Sequence, residues 1–190
     1  TEHSFAHVEK VADTVKMILE GLGCDERKVE LGMIAAYMHD IGNVINRVDH
    51  AQSGAVMAFR LLDNLNMPAE EICDIISAIG NHDENTAAPL NSITAALIIA
   101  DKTDVRRSRV RNISDLATDI HDRVNFSVER SELKFNEDKT ELILDLTIDN
   151  RLSSVMEYFE IFMKRMILCK KSAEYLGVRF RIRANGSDLV

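Results

Sequence analysis

Six polar side chains stand where the pattern of the chain calls for apolar ones: His7, the adjacent pair His39-Asp40, His50, His82 and Asp101. Each falls on, or at the end of, the apolar stripe of an expected helix. A lone imidazole or carboxylate in such a place is unfavourable unless something pairs with it. Six of them, spread over successive helices and short connections, point to one shared partner, and a metal ion is the simplest. Imidazole nitrogen mixed with carboxylate oxygen suits borderline divalent ions such as iron, manganese, cobalt, nickel or zinc. Neighbouring residues on a helix point about 100° apart, because a turn takes 3.6 residues. At a helix end His39 and Asp40 can therefore both reach one site, or Asp40 can bridge two ions. Six ligands exceed what one ion with open water positions needs, whereas two ions would use them all. A two-metal site lowers the pKa of bound water and clamps both attacking and leaving oxygens, which suits phosphate ester hydrolysis.

The elements that must position these residues are mostly helical. From Ser4 to about Leu22, Val8, Val11, Ala12, Val15, Ile18, Leu19 and Leu22 recur at helical spacing, with His7 at the edge of the stripe and Gly21 and Gly23 closing it. A second helix is expected from about Asp25 to Ile41. Its segment Met33-Ile34-Ala35-Ala36-Tyr37-Met38 is apolar on every side, as in a helix covered all round. It ends in His39-Asp40-Ile41, with Gly42 suited to the C-terminal cap. His50 opens a third helix facing inward through Gly54, Met57, Ala58 and Leu61, where Gly54 permits a close approach. Pro68 with Glu70 and Glu71 starts a fourth, whose stripe Ile72, Ile75, Ile76, Ile79 runs into His82. Pro89 and Ser92 mark a fifth, with Ile93, Leu97 and Asp101 on one face.

The C-terminal third changes period. Leu142, Leu144, Leu146 and Ile148 alternate with Glu141, Ile143, Asp145 and Thr147, which reads as a strand. Asn136-Glu137-Asp138-Lys139 makes a hairpin turn back to a strand around Leu133 and Phe135. An amphipathic helix, roughly Leu152 to Leu176, is stopped by Gly177. Val178, Phe180 and Ile182 then alternate with Arg179, Arg181 and Arg183, and Asn185-Gly186 ends that strand. The arginines are expected to pair with Glu141 and Asp145 on the polar face. The fold class is thus mostly α, with a small antiparallel sheet crossed by one helix. The division expected is a helical metal-binding unit over 1–125 and an α+β subdomain over 126–190 packed on it.

Composition bounds the function classes. A length of 190 residues supports one good hydrophobic core, and 8 Gly and 2 Pro leave little linker material. No stretch approaches the ~20 apolar residues of a membrane span, and no charged-then-apolar leader opens the chain at Thr1. Cys24, Cys73 and Cys169 are widely spaced with no CxxC, and read as reduced thiols in a cytoplasmic protein. A net charge of -8 argues against coating nucleic acid and leaves room for a small phosphate-bearing ligand in a locally basic pocket.

The order His7, His39-Asp40, His50, His82, Asp101, with Ile41-Gly42 after the pair, resembles the HD superfamily of metal-dependent phosphohydrolases over roughly Glu2 to Arg111. The chain holds two other His-Asp dipeptides, His82-Asp83 and His121-Asp122, so the order, spacing and apolar surroundings carry the likeness. The resemblance implies an HD-type helical bundle in which His7, His39, Asp40 and Asp101 bind the first metal. His50 and His82 are similar to the extra histidines of the two-metal branch, which includes ribonuclease Y, cyclic-dinucleotide phosphodiesterases and bacterial diadenosine tetraphosphate hydrolases. Asn43 stands where many members have Lys, Asn81 where several have a second His, and the Gly-Tyr-Pro signature of the cyclic-dinucleotide branch is absent. These departures point away from cyclic dinucleotides and toward a small nucleotide or other phosphate ester.

Beyond Asp101, Lys102, Arg106, Arg107, Arg109 and Arg111 form a basic run in an acidic chain. At helical spacing Lys102, Arg106 and Arg109 share a face, and Arg binds phosphate in bidentate fashion. These three are the expected substrate-phosphate residues. His121-Asp122 is expected at a solvated helix end, and Met156, Phe159, Met163 and Met166 in core or interface packing. The activity implied is a cytoplasmic phosphohydrolase or phosphodiesterase using a metal-bound hydroxide and probing a small phosphate-bearing substrate. Two ions are expected, iron or manganese first, then nickel, cobalt or zinc. Asp40, His50 and His82 are the expected catalytic groups, and with a single ion His50 or His82 would protonate the leaving group. The alternative class is a non-catalytic metal- or nucleotide-binding regulatory module, and a di-iron oxygenase is a third. A homodimer through the sheet or the long helix is compatible with the pattern, whereas extended nucleic acid and membrane are not expected partners.

Overall fold

Five helices carry the residues singled out above, and all five form. The structure, a computed structural model, describes residues 5–107, 110 and 120–189. Helix α1 spans Phe5–Gly21 and buries His7, Val11, Ala12, Val15, Ile18 and Leu19 on one face. It ends where Gly23, at φ +74°, turns the chain left-handed so that the Cys24 N–H reaches back to the Leu19 carbonyl. Helix α2 (Glu26–Met38) is capped by Asp25, whose carboxylate accepts from the Lys28 N–H. It is shorter than the expected Asp25–Ile41. His39 and Asp40 lie in a turn that leads into a single 3-10 turn, Ile41–Val44.

Gly42 is not a left-handed helix cap. It sits inside that 3-10 turn, where a Cβ would lie 1.9 Å from the His50 carbonyl oxygen and 2.6 Å from the Gly54 nitrogen. Gly42 and Gly54 let the turn rest on the first turns of helix α3 (His50–Asn64). Helix α4 spans Ala69–Gly80 behind Pro68 and directs Ile72, Ile75 and Ile79 inward. Helix α5 (Ser92–Thr103) is capped by the Asn91 side chain on the Thr94 N–H. It is the helix covered on every side: all eleven residues from Ile93 to Thr103 are buried. The expectation of a fully wrapped α2 is corrected, since Tyr37 is 52% exposed. The physical reason is position, because α5 lies between α1, α2 and α4 on one side and α7 on the other.

Helix α6 (Ile120–Ser127) leads into strand β1 (Val128–Phe135), and His121 lies exposed in its first turn. Strand β2 (Glu141–Ile148) returns antiparallel, with Asn136 in the hairpin accepting from the Thr140 and Glu141 N–H groups. Helix α7 (Val155–Tyr175) opens on a Ser154/Glu157 capping box and buries Tyr158, Phe162, Met166 and Cys169, while Met156 and Met163 remain exposed. Strand β3 (Arg179–Ala184) then pairs parallel to β2, and a two-residue strand β4 (Ser187–Asp188) pairs antiparallel to β3. The sheet is therefore mixed, in the order β1-β2-β3-β4, where an antiparallel one was expected. The β2–α7–β3 connection explains this: a helix laid across the sheet returns the chain to the starting end, which makes the next strand parallel. Asn185-Gly186, at φ +49° and +82°, ends β3 as expected and closes a hairpin into β4. Arg179 pairs with Glu141 at 2.9 Å as the strand pattern suggested, but Arg183 pairs with Asp188. Buried apolar residues run without a break from α1 through α5 to β2 and α7. Among the described residues, no helix is long and apolar enough to cross a membrane.

Candidate metal centre

Helix ends bring the polar residues together. His7 projects from the first turn of α1, His39 caps α2, His50 begins α3, His82 follows the end of α4, and Asp101 sits in the last turn of α5. All four histidines are buried, with His39 completely shielded from solvent.

Three of the imidazoles are oriented in one way. His39 Nδ1 lies 2.7 Å from the Ala36 carbonyl, His82 Nδ1 2.6 Å from that of Ile79, and His50 Nδ1 3.1 Å from that of Arg47. A carbonyl can only accept, so each ring donates Nδ1–H to the residue three places earlier and keeps a lone pair on Nε2. His7 uses a carboxylate instead: its Nδ1 is 2.8 Å from Asp104 Oδ2 and its Nε2 is 3.3 Å from Asp101 Oδ1. Such partners fix the tautomer and direction of metal-ligating histidines.

The Nε2 atoms converge on carboxylate oxygens and on each other. His39 Nε2 is 3.3 Å from Asp40 Oδ2 and 3.9 Å from Asp101 Oδ1. His50 Nε2 is 3.4 Å from Asp40 Oδ1 and 3.2 Å from His82 Nε2. Among the described residues His39 Nε2, buried, has no hydrogen-bond partner. A lone pair aimed at carboxylate oxygens, or at a second lone pair, is repulsive until a cation stands between them. The donor set therefore fits a divalent ion. Two overlapping triads provide for it: His7, His39 and Asp101, and His39, Asp40 and His82, with the donor atoms of each within 4.8 Å of one another. His39 belongs to both, and His50 stands beside the second.

Local electrostatics agree with this. Burial alone would raise the Asp101 carboxyl, but Lys102, His7, His39 and His82 together hold it well below the usual carboxylate range. Burial, with His39 adjacent, pushes His82 down to about 3, so its ring is neutral near neutral pH. Burial and then the Arg47 charge lower His50. Neutral imidazoles and ionised carboxylates are the forms that bind metal.

The expected phosphate residues are placed differently from their sequence rationale. Helix α5 stops at Thr103, so Arg106 does not share a helical face with Lys102. The chain leaves the helix at Asp104, whose carboxylate takes Arg106 Nε at 2.6 Å and the His7 ring on its other oxygen. Lys102 is buried with Nζ 2.6 Å from Asp101 Oδ2, which leaves Oδ1 toward the histidines. Arg109 and Arg111 lie outside the described residues. Two further residues emerge that the spacing alone did not single out. Asp104 orients His7, and the available signal was a second Asp one turn after Asp101. Arg47 reaches the centre from three residues before His50, with Nη1 3.4 Å from His50 Nε2 and 3.8 Å from Asp40 Oδ1. Asn43, at the place where Lys was expected, donates to Asp40 Oδ1 at 2.7 Å and so fixes that carboxylate.

The chain is 28% identical over 125 residues to an uncharacterized protein of Methanocaldococcus jannaschii, an alignment that covers 62% of this chain and 48% of that protein. This chain thus spans about half the length of that relative. A crystal structure of a predicted HD superfamily hydrolase from an uncultured Thermotogales bacterium aligns with 28% identity and a TM-score of 0.46, over 55% of this chain and 57% of the other. The family defined by the HD domain matches residues 4–122, well over half of the sequence and a range that contains the six ligand candidates. The chain belongs to the HD domain family.

Proposed function

We propose that this protein is a metal-dependent phosphohydrolase or phosphodiesterase acting on a nucleotide or other small phosphate ester. The observation that carries the proposal is the buried Nε2 of His39, which faces Asp40 and Asp101 while the ring donates its Nδ1 proton to the Ala36 carbonyl. His7, His39 and Asp101 would hold one ion, and His39 or Asp40, His82 and the adjacent His50 a second. Bound there, divalent ions acidify a coordinated water and neutralise charge growing on phosphate oxygens. The rest falls to the chain. Asp40 presents Oδ1 toward His50 and Oδ2 toward His39, so one carboxylate links both halves of the centre. Lys102 fixes Asp101 from behind, and Asp104 with Arg106 fixes His7. The carbonyls of Ala36, Ile79 and Arg47 keep three rings turned inward, so little reorganisation is left for the reaction step.

A screen of nucleoside monophosphates, dinucleoside polyphosphates and phosphodiesters, run with manganese or iron, tests this reading. At least one ester should be turned over, and Asp101→Ala should lose essentially all of that turnover with its helical circular dichroism intact. Retention of substrate without turnover by the loaded wild-type chain would favour a binding module instead, and full activity in Asp101→Ala would overturn the site assignment.

A further inference from the structure

Among the described residues, Arg47 is the one cation at this centre whose charge is directed at the cluster from the solvent side. Lys102 is buried against Asp101, and Arg106 is held by Asp104. Arg47, by contrast, is 59% exposed through its side chain, and its Nη1 touches Asn43 Oδ1 at 3.3 Å and His50 Nε2 at 3.4 Å. Among the described residues its Nε and Nη2 make no hydrogen bond. Two donors of the guanidinium fork are therefore available beside Asp40 and His50, the geometry that suits a phosphate oxygen pair.

Arg47 also lines a chamber of about 370 Å³. Apart from Val48 its other walls are polar: Asp49, Gln52, Asp83, Glu84 and Thr86 among them. Gln52 is anchored there by donating to the Gly80 carbonyl and to Thr86 Oγ1. The lining is mixed in charge: Arg47 contributes a guanidinium beside His50, and Asp49, Asp83 and Glu84 contribute carboxylates. An ester phosphate is attracted to the guanidinium and repelled by the carboxylates. Hydroxyl groups suit the carboxylates, which accept hydrogen bonds from them.

Resting on the phosphohydrolase reading above, we propose that Arg47 is the side chain that grips the substrate phosphate, and that the chamber beyond it receives a hydroxyl-rich alcohol portion of the ester. Substrates would then be phosphate esters of sugars or nucleosides, with esters of apolar alcohols bound more weakly. The Arg47 side chain is mostly exposed, so its replacement should leave the fold in place.

The test uses the full chain loaded with manganese and calorimetric titration with three probes: inorganic phosphate, ribose 5-phosphate and phenyl phosphate. Wild type should bind ribose 5-phosphate more tightly than phenyl phosphate. Arg47→Ala should weaken both inorganic phosphate and ribose 5-phosphate by about tenfold or more, as the loss of a charged hydrogen-bonding partner implies, with metal stoichiometry unchanged. Arg47→Lys should restore part of the affinity through charge alone. Equal phosphate affinity in wild type and Arg47→Ala overturns the role of Arg47 while leaving the phosphohydrolase reading intact. Loss of metal from Arg47→Ala also overturns it, by making Arg47 a support of the cluster. A phenyl phosphate affinity equal to or above that of ribose 5-phosphate removes the chamber from the proposal. No phosphate binding by loaded wild type removes the underlying reading and this one together.

Discussion

Each imidazole in the cluster is held by a partner that tells it which nitrogen to present. For His39, His50 and His82 that partner is a backbone carbonyl and cannot be deleted by mutation. For His7 it is the Asp104 carboxylate, itself buried and tied to Arg106, and this makes the dependence testable. Asp104→Ala should leave the ligand set unchanged in composition but free the His7 ring to rotate. Partners of this kind typically change metal affinity by about 10- to 100-fold when removed. Competition with a chromogenic chelator should show such a loss for Asp104→Ala, and Asp104→Asn, which keeps an acceptor oxygen, should lose less. Identical affinity in all three proteins would mean that the Asp104 contact does not orient the ligand. Asp104 was hard to read from sequence because it follows the helix end, where periodicity no longer says which way a side chain points. The six ligand candidates were readable for the opposite reason, since a polar residue that interrupts an apolar stripe at regular spacing must be buried.

The contact between the Ile41–Val44 turn and helix α3 decides whether the two halves of the centre meet. Asp40 enters that turn and His50 begins α3, and their side chains come within 3.4 Å only because Gly42 lets backbone approach backbone. A methyl at Gly42 would strike the His50 carbonyl, an atom that cannot rotate away. Gly42→Ala should therefore destabilise the metal-free chain by about 2 kcal/mol or more, at the upper part of the range for overpacking. It should also lower metal stoichiometry by separating Asp40 from His50. Gly54→Ala is the control, because its Cβ would meet neighbours at 3.3 Å and beyond, and a smaller loss is expected. Urea unfolding of the two variants distinguishes them, and equal stability of Gly42→Ala and wild type would contradict the tight contact. The sequence marked Gly54 as a place of close approach but gave Gly42 the commoner duty of a helix cap. A glycine after a helix looks the same in either role, and only the packing of α3 separates them.

At the scale of the molecule, the helices were legible from periodicity and the mixed sheet was not. The β2 pattern in Leu142, Leu144, Leu146 and Ile148 and the β3 pattern in Val178, Phe180 and Ile182 show alternation, which is the same for parallel and antiparallel partners. The direction follows from the α7 crossover, a relation between elements and not within one. The burial of α5 likewise comes from α7 packing on its far side, where the N-terminal helices alone would leave it exposed. This arrangement ties the C-terminal third to the centre: Lys102, which anchors Asp101, sits in the helix that α7 covers, and Ser131 of β1 donates to the Thr103 carbonyl one residue on.

We propose that His7, His39, Asp40, His50, His82 and Asp101 form a binuclear metal centre. Elemental mass spectrometry on protein purified without chelator or metal-affinity resin tests it most directly. About two transition-metal equivalents per chain are expected in wild type, as a two-metal mechanism requires, falling to about one in the double variant His50→Ala/His82→Ala. No metal in wild type, even after loading with manganese or iron, would contradict it.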